Sequence, residues 1–286
     1  AYPPQLYICG GDSNGHELSS LEGFDLESGT WDPLPPMRRG RTWAAAAATG
    51  GAIYICGGRV GQQVLSSVER FRVADRQWAD MPPLLCRREG AAAVVVAGRL
   101  EVLGGGDGAD VHGSRERLEC EGDYGRWLAE RPMLTARIGC GAAAIHGQVY
   151  LCGGNDGART LCTVERHQSG PPEALPSMLQ RRERFAVAAI NGCLYVCGGS
   201  DGPQVLSSAE RFDPVTNFWE ALPPMPQRRQ GVAAAAAAGQ LFVCGGSWGR
   251  HDLRSVERFD PAVGAWEQLR PMIAPRTAAA AAALRC

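Results

Sequence analysis

A Gly-Gly pair recurs six times along the sequence, and this repeat restricts the possible folds more than any other feature. Successive pairs are separated by 47, 47, 49, 45 and 47 residues. The pairs stand at positions 10–11, 57–58, 104–105, 153–154, 198–199 and 245–246. A nearly fixed period of this size is typical of repeat architectures, in which each unit buries its apolar face against its neighbours.

Three other residue types keep the same period. A glutamate follows the second glycine of each pair by 11 residues, and in five units a tryptophan follows it by 20 or 22. An arginine lies ten residues beyond each of those tryptophans, and unit four has the arginine without the tryptophan. Residues that return at fixed positions are expected to be structural. We expect the glutamate and arginine to satisfy buried hydrogen bonds or to pair with each other, and the tryptophan to pack between units.

Each repeat contains segments that predict four short strands. The runs that end in Gly-Gly, such as QLYICGG at 5–11, are β-branched and aromatic, and the VERFD-like and tryptophan segments have similar composition. The alanine runs at 44–48, 233–238 and 278–283 favour a helix by propensity alone. Each lies between a proline-rich turn and a glycine-containing hairpin, so we interpret them as strands at a crowded centre.

Four short strands repeated six times predict an all-β fold, a six-bladed β-propeller with four-stranded blades. Residues 1–286 are predicted to form a single domain of six repeats of about 47 residues. The first strand of one unit is found at the C-terminal end, near 276–284. We expect it to complete the blade begun by residues 5–31, which closes the ring and leaves no large exposed sheet edge.

Composition and charge exclude several classes of function. The formal net charge of −1 gives no bulk attraction to nucleic acid or acidic lipid. No apolar stretch or leader pattern predicts a membrane segment or secretion, so we expect the protein in the cytoplasm or nucleus. Five of the eleven cysteines directly precede a Gly-Gly pair and are predicted to be reduced packing residues. No phosphate-binding loop or zinc-type cysteine spacing is present, and we predict no cofactor, metal site or catalytic residue.

The Gly-Gly pair, the Glu-Arg-Phe string, the spaced tryptophan and the Pro-Met-x-x-x-Arg junction resemble the kelch repeat. The resemblance covers essentially the whole chain and is closest to the kelch domains of kelch-like (BTB–kelch) proteins. Unit three departs from the pattern with Leu103 in the cysteine position and with GDYG inserted at 122–125. The resemblance implies that the loops after Gly-Gly and after the junction arginine share one face, where a partner protein binds.

Candidate binding residues are those that differ between units within these loops. Two residues past the junction arginine the units carry Trp43, Gly90, Gly139, Arg184, Gly231 and Ala278. Trp43 and Arg184 stand out among small residues, and some kelch-like relatives carry a peptide-binding arginine where Arg184 stands. The loops after Gly-Gly add Arg59, Arg159, Trp248, Arg250 and His251. Tryptophan and arginine are enriched at binding hot spots, and several arginines on one face suit an acidic or phosphorylated peptide.

The function predicted from the sequence is a protein–protein interaction module. The resemblance implies that such a module selects substrates for a cullin-RING ubiquitin ligase, with the cullin contacted only through a flanking domain outside these residues. A cytoskeletal or scaffolding kelch protein is an alternative. A metal-dependent propeller enzyme is a further alternative, because His16 and His251 occupy matching positions in neighbouring units and could share a metal, although a third ligand is not evident.

Overall fold

The computed structural model describes residues 5–121 and 124–284 of the chain. The described residues form thirty β-strands and no helix. Twenty-four of the strands build six four-stranded antiparallel sheets, and the other six form three short hairpins. The predicted six-bladed β-propeller is confirmed. Over this part of the chain, no helix could span a membrane.

The innermost strands are the alanine-rich segments, as predicted. The innermost strand of each blade packs against the innermost strands of both neighbouring blades, so the six form a closed ring around the axis. In chain order they are β6 (Ala45–Thr49), β12 (Ala92–Val96), β16 (Gly141–Ile145), β20 (Ala186–Ile190), β24 (Ala233–Ala237) and β30 (Ala280–Leu284). Alanine is found here because six strands converge and leave little room for side chains, so tertiary packing overrides its helix propensity.

The remaining strands of each blade run outward from the innermost one. The second strands are β1 (Gln5–Cys9), β7 (Ala52–Cys56), β13 (Arg99–Leu103), β17 (Gln148–Cys152), β21 (Cys193–Cys197) and β25 (Gln240–Cys244). The third strands are β4 (Leu21–Asp25), β10 (Val68–Arg72), β14 (Arg115–Glu121), β18 (Val164–His167), β22 (Ala209–Asp213) and β28 (Val256–Asp260). The outer strands are β5 (Thr30–Leu34), β11 (Gln77–Met81), β15 (Tyr124–Glu130), β19 (Glu173–Leu175), β23 (Phe218–Leu222) and β29 (Ala265–Leu269).

The hairpins lie in three of the loops that follow a Gly-Gly pair. They are β2 (Asp12–Ser13) with β3 (His16–Glu17), β8 (Arg59–Val60) with β9 (Gln63–Val64), and β26 (Ser247–Trp248) with β27 (His251–Asp252). We number the blades 1 to 6 by their second strands, from β1 to β25.

The ring closes through the C-terminal strand, as the sequence predicts. Strand β30 pairs antiparallel with β1, with Leu284 opposite Gln5 and Ala280 opposite Cys9. Blade 1 therefore has the order β30-β1-β4-β5 and combines the two ends of the described chain. Every innermost strand therefore packs against an innermost strand on each side, and the edges at the axis are covered by neighbouring blades.

Each junction arginine connects two blades. Arg88 shows the arrangement: its carbonyl accepts a 2.7 Å hydrogen bond from Gly58 of blade 2, while its side chain lies in blade 3. There Nη1 donates to the carbonyl of Gly104 at 2.6 Å, and Nη2 lies 2.7 Å from Glu116. Both charged side chains are buried. The equivalent pairs are Arg41–Glu69, Arg137–Glu165, Arg182–Glu210, Arg229–Glu257 and Arg276–Glu22.

The tryptophans fasten each blade to the preceding one, also as predicted. Trp78 of blade 2 packs on Phe71 with 5.1 Å between ring centroids, and its indole N–H donates to the carbonyl of Pro35 in blade 1 at 2.8 Å. The same hydrogen bond is formed by Trp31, Trp127, Trp219 and Trp266. Blade 4 has no tryptophan, so its contact with blade 3 is built differently.

The Gly-Gly pair is required because backbone approaches it closely from its own blade and from the loop that enters the next blade. A Cβ atom at Gly57 would lie 2.3 Å from the carbonyl oxygen of Arg88, in the loop that enters blade 3. Gly58 has a φ of +90°, and a Cβ atom there would lie 2.6 Å from the carbonyl oxygen of Thr42. Any other residue would therefore displace the backbone of the adjoining loops.

Candidate functional site at the axial mouth

The six residues that lie two positions past the junction arginines form a ring around the propeller axis, on the face that carries the loops after Gly-Gly. We call this face the loop face. Each N–H donates to the carbonyl of the next residue around the ring, and the six hydrogen bonds measure 2.8–3.0 Å. All six residues have a φ between +53° and +64°. We call this ring the axial mouth; it consists of Trp43, Gly90, Gly139, Arg184, Gly231 and Ala278.

The two large side chains of the axial mouth contact each other. The guanidinium carbon of Arg184 lies 4.9 Å from the ring centroid of Trp43, a cation–π geometry. These two residues come from the loops entering blades 5 and 2, so the contact bridges the opening. Within the described residues Arg184 forms no ion pair. A guanidinium stacked on an aromatic face with no carboxylate keeps its hydrogen-bond donors available for a ligand.

A cavity of about 230 Å³ adjoins the axial mouth. Trp43 and Arg184 line it together with Arg59, which reaches in from hairpin β8–β9. The Arg59 Nε atom lies 3.4 Å from Oε2 of Glu89, and the guanidinium also donates to the carbonyl of Gly61 at 3.1 Å. The structure thus brings three of the seven predicted residues to one concave surface.

Two acidic residues of this cavity were not predicted as site residues. Glu89 and Glu183 each lie one residue past a junction arginine and line the same cavity. The side chains of Arg59, Arg184, Glu89 and Glu183 together carry no net charge. The signal for them was present in the sequence, because this loop position varies among the units: Thr42, Glu89, Ile138, Glu183, Gln230 and Thr277.

The other four predicted residues do not line the cavity. Arg159 is exposed in the loop of blade 4, with its Nε atom 3.5 Å from Asp156 of the same turn. Trp248 and His251 lie opposite each other in hairpin β26–β27 of blade 6, and Arg250 is in the turn between them. The side chain of Trp248 is half exposed, at 52%. This hairpin forms a second exposed aromatic and basic feature on the loop face.

The paired histidines lie on adjacent hairpins. His16 is in β3 of blade 1 and His251 in β27 of blade 6, and the backbone N–H of Asn14 donates to Asp252 across the two hairpins at 2.8 Å. Across residues 5–121 and 124–284, no three His, Cys, Asp or Glu side chains are grouped so that they could hold a metal ion. The third ligand that the sequence lacks is therefore not supplied by the fold in this part of the chain.

Comparison with known proteins identifies the repeat. A family model described as the Kelch motif matches residues 1–38, 41–85, 136–166, 181–226 and 228–273. The unmatched residues 86–135 contain blade 3. A solved structure titled "Structure of YjhT" superposes with a TM-score of 0.78 at 13% identity, and the match covers 94% of this chain and 95% of that chain. At this identity the likeness shows the fold alone. No curated protein matches the sequence.

Proposed function

Because this chain belongs to the kelch-repeat family, we propose that it is a protein-interaction module that binds a peptide segment of a partner at the axial mouth and its adjoining cavity. The observation that supports this most directly is Arg184, which stacks on Trp43 and has no carboxylate partner within the described residues. An aromatic and an arginine beside a concave surface are the residue types that dominate binding energy in protein interfaces.

The charges of the cavity define the segment that would fit. Arg184 and Arg59 offer fork-shaped donors to an acidic side chain, and Glu89 and Glu183 offer acceptors to a donor group. Since these four charges cancel, a uniformly acidic peptide is a poorer match than a segment in which an acidic residue is followed by a hydroxyl, amide or basic residue. The sequence predicts an acidic partner, and the cavity instead favours a segment that carries both an acidic residue and a hydrogen-bond donor.

A peptide-display selection against the purified protein tests the proposal. Selected peptides are then measured by fluorescence anisotropy against two variants, Trp43→Ala/Arg184→Ala and Trp248→Ala/Arg250→Ala. We expect the first to weaken binding by at least about tenfold, which corresponds to loss of a single hot-spot interaction, and the second to have a smaller effect. The control Arg126→Ala/Phe218→Ala also removes one arginine and one aromatic residue, from exposed positions in blades 3 and 5.

Unchanged affinity in the first variant, with a thermal transition like that of the wild type, would contradict binding at the axial mouth. Loss only in Trp248→Ala/Arg250→Ala would transfer the site to hairpin β26–β27, with His251 beside it. Equal loss in the control would show that the selected peptides bind arginine-rich surface without specificity.

The cellular role that we propose for the module follows from its resemblance to kelch-like proteins. We infer substrate recognition for a cullin-RING ubiquitin ligase in the cytoplasm or nucleus, with no catalytic residue or cofactor in the propeller. Co-purification of a cullin with the full-length gene product, and its loss when the flanking regions are deleted, tests this role. Co-purification of filament or junction proteins instead would support the scaffolding alternative.

A further inference from the structure

The contact between blades 3 and 4 differs in kind from the other five contacts between blades. Each of the other five contacts is one apolar cluster built from four positions. One blade contributes an aromatic residue of its second strand and an apolar residue at the start of its third strand. The next blade contributes two large apolar residues. Between blades 4 and 5, for example, these four are Tyr150, Val164, Phe212 and Trp219. The apolar cluster between blades 3 and 4 contains no aromatic residue.

All four of these positions are changed between blades 3 and 4. Glu101 occupies the aromatic position of β13, Arg115 occupies the apolar position of β14, and His167 occupies the phenylalanine position of β18. The tryptophan position of β19 is missing. At the other five contacts the equivalent positions all carry aromatic or aliphatic residues, so three polar residues and one missing tryptophan mark this contact as a separate polar feature.

The replacement residues bind one another. Arg115 lies 2.5 Å from Glu101, and its Nη1 atom lies 2.9 Å from Nδ1 of His167. Nε2 of the same imidazole lies 3.2 Å from Glu165. Burial acts to raise the pKa of Glu165, but hydrogen bonds from His167 and the Leu134 N–H together with Arg137 hold that pKa below its usual range. Because a guanidinium can only donate, Nδ1 of His167 accepts from Arg115, and Nε2 lies beside the Glu165 carboxylate.

Arg115 also takes over a hydrogen bond that tryptophan makes elsewhere. In five contacts the indole N–H donates to a carbonyl at the end of the preceding outer strand. The equivalent carbonyl of blade 3 belongs to Arg131, and Nη1 of Arg115 donates to it at 3.4 Å. The polar set thus satisfies the carbonyl without filling the volume of an indole ring.

A cavity of about 530 Å³ lies at this contact. Its volume falls within the range of small-molecule sites. It shares no lining residue with the axial mouth or the adjoining cavity. Arg99, Arg115, Arg117 and Arg131 line it together with Glu101 and Glu130. Glu101 pairs with Arg115, and Glu130 pairs with Arg117 at 2.9 Å. Arg99 and Arg131 have no carboxylate partner within the described residues, so the lining has an excess of two positive charges when His167 is neutral.

We propose that this cavity between blades 3 and 4 binds a small polyanion that carries carboxylate or phosphate groups. Arg99 and Arg131 supply the charge that the cavity itself does not neutralise, and a guanidinium fork matches the oxygens of either group. The buried Glu101–Arg115–His167 network forms a rigid polar wall behind the ligand. The site is independent of partner binding at the axial mouth.

Isothermal titration with citrate and with inorganic pyrophosphate tests the proposal and separates the two chemistries. The charge variant Arg99→Gln/Arg131→Ala keeps the buried network, and its glutamine is the residue that β1, β17 and β25 carry at the position of Arg99. The control Arg126→Gln/Arg270→Ala also removes two exposed arginines, and Arg270 holds the position equivalent to Arg131 beside Trp31. We expect saturable 1:1 binding of at least one probe by the wild type and the control, and at least a tenfold weaker affinity in the charge variant.

A second variant converts the contact to the pattern of the others. Glu101→Tyr/Arg115→Val/His167→Phe is expected to fill the cavity and to abolish anion binding while the thermal transition is retained. Absence of saturable binding of both probes to the wild type would overturn the proposal, and so would equal affinity in the wild type and the charge variant. The charge variant alone decides the matter if the filled contact does not fold.

Discussion

At the residue scale, the five cysteines that precede Gly-Gly act as small apolar side chains. Cys9, Cys56, Cys152, Cys197 and Cys244 are all buried and free. Burial raises the pKa of each thiol to about 12, and for each of them at least one buried arginine only partly opposes the effect. Because the thiolate is the reactive species, and almost none of it is present at neutral pH, these five cysteines are expected to be unreactive.

Alkylation of the native protein should therefore spare these five residues. We expect iodoacetamide at pH 8 to leave them unmodified in the folded protein and to modify them readily in guanidinium chloride. Peptide mapping by mass spectrometry measures the modified fraction at each cysteine. Modification of the folded protein as fast as of the unfolded one would show that these positions are open to solvent and titrate normally.

At the scale of strands and loops, a buried ion pair is the repeated link between blades. The carboxylate of Glu116 accepts from the Arg88 side chain and from the backbone N–H groups of Leu85 and Cys86, so one glutamate fixes the loop that enters its blade. Desolvation makes such a pair costly to bury, and its role is to fix one arrangement of the loop. Removal of one partner leaves the other buried and uncompensated.

Arg88→Met tests this role because methionine removes the charge and keeps much of the volume. We expect a loss of about 3–5 kcal/mol in the free energy of unfolding, the usual cost of an unpaired buried charge. Arg72→Met breaks an exposed pair with Asp75, in the turn that follows β10, and should change stability by less than about 1 kcal/mol. Urea denaturation followed by tryptophan fluorescence measures both. Similar small losses in the two variants would mean that solvent reaches Glu116.

The extent to which sequence predicts structure differs between the framework and the sites. The Arg–Glu pairs and the Trp contacts follow from residues that return with the repeat, because every blade solves the same packing problem. The network of Arg115 and His167 joins residues 52 positions apart that break the repeat, and only blade adjacency brings them together. Trp43 and Arg184 were predicted from one variable position, whereas Glu89 and Glu183 lie in a neighbouring position whose direction toward the cavity depends on the turn.

At the scale of the whole molecule, the closed ring makes each blade depend on two neighbours. Blade 1 is assembled from β1, β4 and β5 with β30 from the opposite end of the described chain. Without β30, the innermost position of that blade is empty and β24 and β6 each lose a packing partner. The edge of β1 that pairs with β30 then presents free backbone groups to solvent, which favours association with other chains.

A chain that ends at Thr277 is therefore expected to lose its cooperative unfolding transition and to aggregate. A chain that ends at Leu284 keeps β30 and serves as the control. Differential scanning calorimetry and light scattering compare the two. A sharp transition and a monomeric chain after removal of β30 would show that five complete blades and one incomplete blade are sufficient for the fold.

In the axial mouth the backbone is constant and only the side chains vary. All six of its residues share one left-handed backbone conformation and one hydrogen-bonded ring, whether the side chain is an indole, a guanidinium, a methyl group or hydrogen. A Cβ atom at Gly139 would meet no atom closer than 3.4 Å, whereas at Gly231 it would lie 2.5 Å from Oγ1 of Thr277. The positions of the axial mouth thus differ in whether they have room for a side chain, and Gly139 is a glycine position that has it. A side chain introduced at Gly139 would add a new binding group and leave the fold unchanged. The cost is the modest strain of a non-glycine residue in the left-handed backbone conformation.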